Sequence, residues 1–400
     1  MKYCVTLFQP YLRQFVLNFG KTLRQGEFIN VASTPTRTLY KIIPTYEKEV
    51  KRVKTKGWRY VLRQTLGIPN VRFRYETTGD LLFTYGTLLI TNKPYCPYLE
   101  TGLSFFSYDL GISQNPIARF IVIFLTTRRN CHKLLFLSEA AKKSFFSTLH
   151  FSPRVRDILL KKSVVVYPVP LVETTTHPVK TSSGELKLLF VGLYYMKGGV
   201  ELVHAFQKLR QTYSHVTLTM VTPFRPIKQE DLEMLRHVSG LNLLDATLNA
   251  EEMRTLYRDH HIFCLPTYRD GFGLVLIEAL AYGMPLIITD QYATPEMLLE
   301  NQNGFMFRNH PLQDYHPKTY EIFGKYYNPK TFYTDLFRFQ REGRFTPVED
   351  FLVYSIEQFL NHPSLLEEYS RTSLNLYSEK FHPEKIGQQL ESIFLEALRR

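Results

Sequence analysis

Apolar residues along this chain fall into two recurring patterns: short unbroken runs, and stretches where they return every three or four positions. The first predicts strands buried on both faces of a parallel sheet, the second amphipathic helices. The clearest succession spans residues 261–290. Residues 262–265 are wholly apolar and predict a strand. Residues 266–273 are rich in turn formers and carry Gly271 and Gly273. Residues 274–282 predict a helix stopped by Gly283, and Pro285 opens the next apolar run at 286–288. Strand, loop, helix and strand make a βαβ unit. A helix that begins after a glycine loop suits an anion, because its first N–H groups and positive dipole end point outward.

The same succession extends in both directions. Residues 2–8 predict a first buried strand, followed by a helix with Leu12, Phe15, Val16 and Phe19 in register, and a second strand at 28–32. Residues 46–63 mix Lys, Arg and Glu with Val50, Val53, Trp58 and Val61, the pattern of an amphipathic basic helix or pair of helices. Apolar runs follow at 80–86 and 88–91. Residues 93–101 predict a strand that delivers Glu100 to its C-terminal end, where ligands sit in open α/β sheets. Strands at 133–137 and 164–169 close this half, with Ser138 as a helix N-cap. Residues 171–185, rich in Thr, Ser and Pro, read as a linker.

Beyond the linker, residues 186–191 predict a strand that runs into Gly192, then Lys197-Gly198-Gly199, then a helix with Leu202, Ala205, Phe206 and Leu209 in register. Strands are predicted at 216–221 and 241–244, and Asn249 with Glu252 forms a capping box. Residues 311–345 hold many aromatics and read as an insertion whose main use is core packing, with acceptor binding as the alternative. Residues 383–398 predict a closing helix with Ile386, Leu390, Ile393, Phe394 and Leu398 on one face. The expected fold class is α/β, with two Rossmann-like doubly wound domains facing across a cleft. Their bounds are 1–170 and 186–375, with a closing segment at 376–400.

Composition narrows the class. Four hundred residues, 44% of them hydrophobic and 14% aromatic, suffice for two full cores. The apolar run at 120–125 is far short of the roughly 20 residues a membrane-spanning helix needs, and the run at 5–8 is too short for a secretory leader. Cys4, Cys96, Cys131 and Cys264 are scattered without metal-type spacing, which fits a reducing, cytoplasmic setting. Charge is lopsided. Residues 1–150 hold 22 Lys and Arg against 8 Asp and Glu, a balance of +14, while the whole chain carries +12. A basic first half can face phosphates, an anionic membrane surface on which the protein sits peripherally, or nucleic acid, or be a plain solvated surface. The chain has no RNP-like aromatics, zinc spacing or helix-turn-helix pattern, which argues against nucleic acid.

The candidate chemistry is concentrated in the second half. Lys197 supplies a point charge beside glycines that let backbone approach a phosphate. Asp270 and Glu278 lie eight positions apart, one beside the mouth of the predicted helix and one about a turn inside it. Such carboxylates accept paired hydrogen bonds from sugar hydroxyls. Equally, spacing alone leaves Asp270 as a solubilising loop residue and Glu278 as a dipole partner.

Pro266, Asp270, Gly271, Phe272, Gly273, Glu278, Gly283 and Pro285 together resemble glycosyltransferase family 4, retaining nucleotide-sugar-dependent enzymes of GT-B fold. Thr267 stands for the usual serine, Asp270 for glutamate, Leu193 for an arginine and Tyr292-Ala293-Thr294 for a Gly-Gly pair. The Gly-Gly of the first loop is replaced by Gln9-Pro10. The resemblance implies a nucleotide-diphosphate-sugar donor and no bound metal or cofactor. It implies a glycan, lipid-linked or other hydroxyl acceptor on the side of the first domain, the donor on the side of the second, and a return of residues 376–400 to the first domain. Donor-binding positions are Gly192, Lys197, Gly271, Phe272, Gly273, Leu274 and Glu278, and Glu100 and Asp270 are catalytic positions facing the transferred sugar. An alternative is a sugar-nucleotide epimerase of the same fold, and in another class a basic nucleic-acid-binding protein.

Overall fold

The computed structural model describes residues 3–8, 14–30, 66–73, 79–170, 172, 177–181 and 184–399. The basic stretch at 46–63 and the Gln9-Pro10 turn lie outside them. Two six-stranded parallel sheets form the frame. The first contains β1 (Tyr3–Phe8), β2 (Gly26–Asn30), β3 (Leu81–Tyr85), β4 (Tyr95–Leu99), β5 (Leu134–Phe136) and β6 (Ser163–Val165), in the order β2-β1-β3-β4-β5-β6. The second contains β7 (Leu186–Val191), β8 (Val216–Thr222), β9 (Leu241–Asp245), β10 (Ile262–Leu265), β11 (Leu286–Thr289) and β12 (Gly304–Phe307), ordered β9-β8-β7-β10-β11-β12. Every residue of β3, β4, β10 and β11 is buried, as their unbroken apolar runs require.

The order of the second sheet reverses between β7 and β10, which pair with Leu188 opposite Ile262. A crevice opens at such a switch point, beyond the strand C-termini. The two loops that leave there are the glycine-bearing ones, at 192–198 and 266–273. Strand order therefore brings together two motifs about seventy residues apart.

Helices cover both sheets. Those needed here are α1 (Gln14–Thr22), α2 (Pro116–Thr127), α3 (Glu139–Thr148), α4 (Gly199–Arg210), α5 (Ala250–Asp259), α6 (Leu274–Ala281), α7 (Pro329–Arg341) and α8 (Pro383–Leu398). The predicted capping box is present on α5, with Asn249 Oδ1 accepting from Glu252 N at 3.0 Å and Glu252 Oε2 from Asn249 N at 2.6 Å. Ser138 caps α3 through Ala141 N. Helix α8 packs on the first sheet, where Phe394 meets Tyr3 and Phe83 edge-on. Its Glu391 accepts from the backbone N–H of Arg24 and Gln25. Among the described residues no helix is long and apolar enough to cross a membrane.

Two strands differ from the sequence pattern. The predicted strand at 164–169 stops at Val165. The carbonyls beyond it are taken by side chains instead: Val166 accepts from Tyr98 Oη at 2.7 Å and Val169 from Asn18 Nδ2 at 2.9 Å. The run at 88–91 leaves the main sheet, and Leu88–Leu89 pairs with Val71–Arg72 in a separate ribbon.

The aromatic stretch at 311–345 has a definable job. Tyr292, standing where a glycine pair was expected, has φ +56°, a conformation costly for a bulky residue. It is held there by Tyr315 and Tyr320, whose rings lie 5.7 and 6.0 Å from its own, and by the Tyr315 hydroxyl, which accepts from Tyr292 N at 2.8 Å. Most aromatics of this stretch are buried, including Tyr326, Phe332, Phe339 and Phe345. It also reaches the first half: Ile322 N donates to Thr148 Oγ1 at 3.2 Å, and Tyr327 stacks on Tyr108 at 6.1 Å.

Candidate functional site

Strand β7 ends in a turn whose geometry is fixed by glycine. Gly198 has φ +73°, and a Cβ there would overlap the Pro266 carbonyl. This contact presses the Lys197 turn against the loop after β10. Lys197 Nζ donates to the Arg269 carbonyl at 2.9 Å and pairs with Asp270 Oδ2 at 2.5 Å. The two side chains are only 16% and 17% exposed, so solvent screens this pair less than a surface one. An ammonium has three N–H donors. Two are used in these bonds, which leaves the third for an incoming oxygen.

Asp270 also organises the helix. Its Oδ1 accepts from Phe272 N and Gly273 N, each at 3.1 Å. Gly273 takes φ +87° and α6 starts at Leu274 with no side-chain cap of its own. The outermost amides of α6 therefore keep their capacity for an anion. One carboxylate thus pairs with Lys197 and ties down the glycine loop at once.

Glu100 arrives from the other half. It follows β4, its N–H is held by Ser104 Oγ at 3.0 Å, and its Oε2 accepts from the hydroxyls of Tyr85 and Tyr108, the latter at 2.9 Å. Its Oε1 lies against Gly271, so that a Cβ on Gly271 would collide with the carboxylate. The structure thus gathers Lys197, Asp270, Gly271 and Glu100 at one place between the halves. Gly271→Ala is expected to force Glu100 and the loop apart and to lower any activity of the site at least tenfold while the melting temperature stays within a few degrees. A rate equal to wild type would show that this contact is not needed.

Glu278 sits half-buried on α6, where its Oε2 accepts from the Tyr257 hydroxyl at 2.9 Å. Tyr257 is itself fixed by stacking on Tyr282 at 5.5 Å. Phe272 is buried, 6.2 Å from the ring of Tyr167. Gly192 borders Lys197, whose Cγ a Cβ at that position would crowd. Beneath the Lys197 turn lies Glu201 on α4, where burial pushes its carboxyl up to about 7. Gln340 Nε2 bonds it at 3.0 Å.

Several residues escaped the sequence pattern. Tyr85 and Tyr108 clamp Glu100, but nothing in their spacing marks them. Glu296 of the second half accepts from Glu139 N and Ala140 N at the start of α3, and from the Tyr167 hydroxyl, at 2.8 to 3.0 Å. One carboxylate thus caps a helix across the junction. The Pro295-Glu296 pair and the Ser138-Glu139 helix start are both legible locally; their meeting is not.

Comparison with known proteins bears on the fold and on the second half of the chain. Residues 185–318 match the family described as Glycosyl transferases group 1. The chain is 27% identical over 139 residues to a D-inositol 3-phosphate glycosyltransferase of Arthrobacter sp. (strain FB24), a match covering 33% of this chain and 33% of that protein. It is 26% identical over 217 residues to an uncharacterized glycosyltransferase of Haemophilus influenzae, covering 52% of this chain and 56% of that one. The chain thus spans a third to about half of the length of these curated relatives. Anabaena Alr3699/HepE, solved in complex with UDP-glucose, superposes with a TM-score of 0.56 at 13% identity, over 98% of this chain and 99% of that one. The chain therefore carries the GT-B glycosyltransferase fold, and its residues 185–318 follow the glycosyl transferases group 1 pattern.

Proposed function

We propose that this protein is a retaining glycosyltransferase of family 4 type that moves a sugar from a nucleoside-diphosphate donor to a hydroxyl of a glycan, lipid-linked or other acceptor. The observation that carries the reading is the convergence, at the β7–β10 switch point, of Lys197, the start of α6 and Glu100 from the opposite half. A departing diphosphate gathers negative charge as the sugar bond breaks. Lys197 and the first amides of α6 meet that charge in a site shielded from bulk water, where such contacts count most. Gly192, Gly271, Phe272, Gly273 and Leu274 shape the phosphate seat. Glu278 takes the ribose hydroxyls, and Asp270 and Glu100 face the transferred sugar. The likeness to HepE, a protein solved with UDP-glucose, supports a donor of this class.

The test is a thermal-shift screen of the purified chain over UDP-, GDP-, ADP- and CMP-sugars, followed by transfer assays with and without acceptor. The expected result is a rise in melting temperature with one diphosphate donor, acceptor-dependent release of the nucleotide unchanged by EDTA, and a product of unchanged anomeric configuration. Conversion of the donor to an epimer without any acceptor would replace this reading with the epimerase one.

A further inference from the structure

Helix α2 follows directly on the clamp that holds Glu100. From Tyr108 the chain passes to Asp109, which caps a short helix through Ile112 N at 3.1 Å, and then to Asn115, which caps α2 through Ile117 N at 2.8 Å. The inner face of α2, with Ala118, Val122 and Leu125, is buried in the first half. Its outer face is apolar as well. Ile117, Phe120 and Phe124 are 63%, 66% and 49% exposed and share one side of the helix. The Phe120 and Phe124 rings stack at 6.1 Å and 15°, and the Arg128 guanidinium lies 5.3 Å over Phe124. Phe73, next to the ribbon that packs on α2, is 72% exposed.

Charge decides what such a face suits. Between Asp109 and Glu139 the chain holds Arg119, Arg128, Arg129 and Lys133 and no acidic residue. Lys133 pairs with Glu396 at 3.8 Å and Arg119 bonds the Leu149 and His150 carbonyls, so the exposed Arg128 and Arg129 are the cations at the end of the aromatic stripe. Rings at acyl depth with guanidinium groups at the phosphates match the layering of a lipid surface. We infer that the Ile117–Phe120–Phe124 face of α2 docks this protein on an anionic lipid bilayer. The face is separate from the basic stretch at 46–63. The bilayer-docked helix begins eight residues after Tyr108, whose hydroxyl bonds Glu100.

Sedimentation of the full chain with phosphatidylcholine vesicles, with and without phosphatidylglycerol, reads this directly. Neither donor nor acceptor is present, so failure here is distinct from failure of the enzymatic reading. The wild-type chain is expected to sediment with the phosphatidylglycerol vesicles and to be released by high salt. F120S/F124S should lower partitioning at least about tenfold, and R128E/R129E should lower it while removing much of the salt dependence. Both variants alter exposed side chains, and circular dichroism melts should match wild type. The inference is overturned if both variants sediment like wild type or if phosphatidylglycerol makes no difference. It is equally overturned if light scattering shows a dimer that F120S/F124S dissolves, because the face would then serve a second copy of this chain.

Discussion

Lys197→Ala is expected to lower kcat/KM for sugar transfer about 10²–10³-fold, the scale seen when one preorganised charge-stabilising donor is removed from a shielded site. The ammonium sits between the Arg269 carbonyl and Asp270, with one donor left to point outward. On the proposed reading, removal would leave the developing diphosphate charge to the α6 amides alone. Folding should survive, because Asp270 still accepts from Phe272 N and Gly273 N and so remains hydrogen-bonded. The lost pair costs stability of roughly 1–3 kcal/mol for a partly buried carboxylate that loses a charged partner. Lys197→Met separates charge from packing: it restores the aliphatic contact beside Gly192 and should be as inactive as alanine. Steady-state rates with a donor found by thermal shift check this, beside a denaturation curve for each variant. Rates within threefold of wild type would remove Lys197 from the site.

Glu278→Ala should act on donor binding. A carboxylate that accepts from two vicinal hydroxyls contributes roughly 1.5–3 kcal/mol for a hydrogen bond to a charged group, or about 10- to 100-fold in donor affinity. Tyr257 Oη already fixes the carboxylate rotamer, so the acid is preorganised before donor arrives. The discriminating measurement pairs the variant with a donor lacking the ribose 2′-hydroxyl. Wild-type protein should bind that donor much more weakly than the ribonucleotide, and Glu278→Ala should bind the two almost equally. If the variant keeps the full preference for the ribose hydroxyl, Glu278 is a structural residue of α6 and another group reads the sugar.

Much of this site is written in short stretches of the chain. Lys197 with its glycines and Asp270 with Gly271 and Gly273 each lie in a single loop, where the local rules for helix starts and anion seats apply. The parallel sheets and the α5 capping box are legible for the same reason. Contacts between distant stretches are not. The hydroxyls that hold Glu100 come from Tyr85 and Tyr108, and its far side is met by Gly271 from the other half; no periodicity ties these positions together. Beyond the early end of β6, Tyr98 and Asn18 take the carbonyls of Val166 and Val169. The aromatic stretch at 311–345 was readable as packing, but its particular task, bracing Tyr292 at positive φ, appears only once the rings are in place.

The polypeptide passes between its two halves twice, once after Val169 and once at Tyr377–Phe381, whose last residue packs its ring 5.0 Å from Tyr167. A single strap would let the halves slide and twist. Two straps restrict such movement, and the Glu296 cap on α3 and the Ile322–Thr148 bond restrict it further. On the proposed reading, parting Glu100 from Gly271 to admit or release a nucleotide would also load the Glu296 cap on α3.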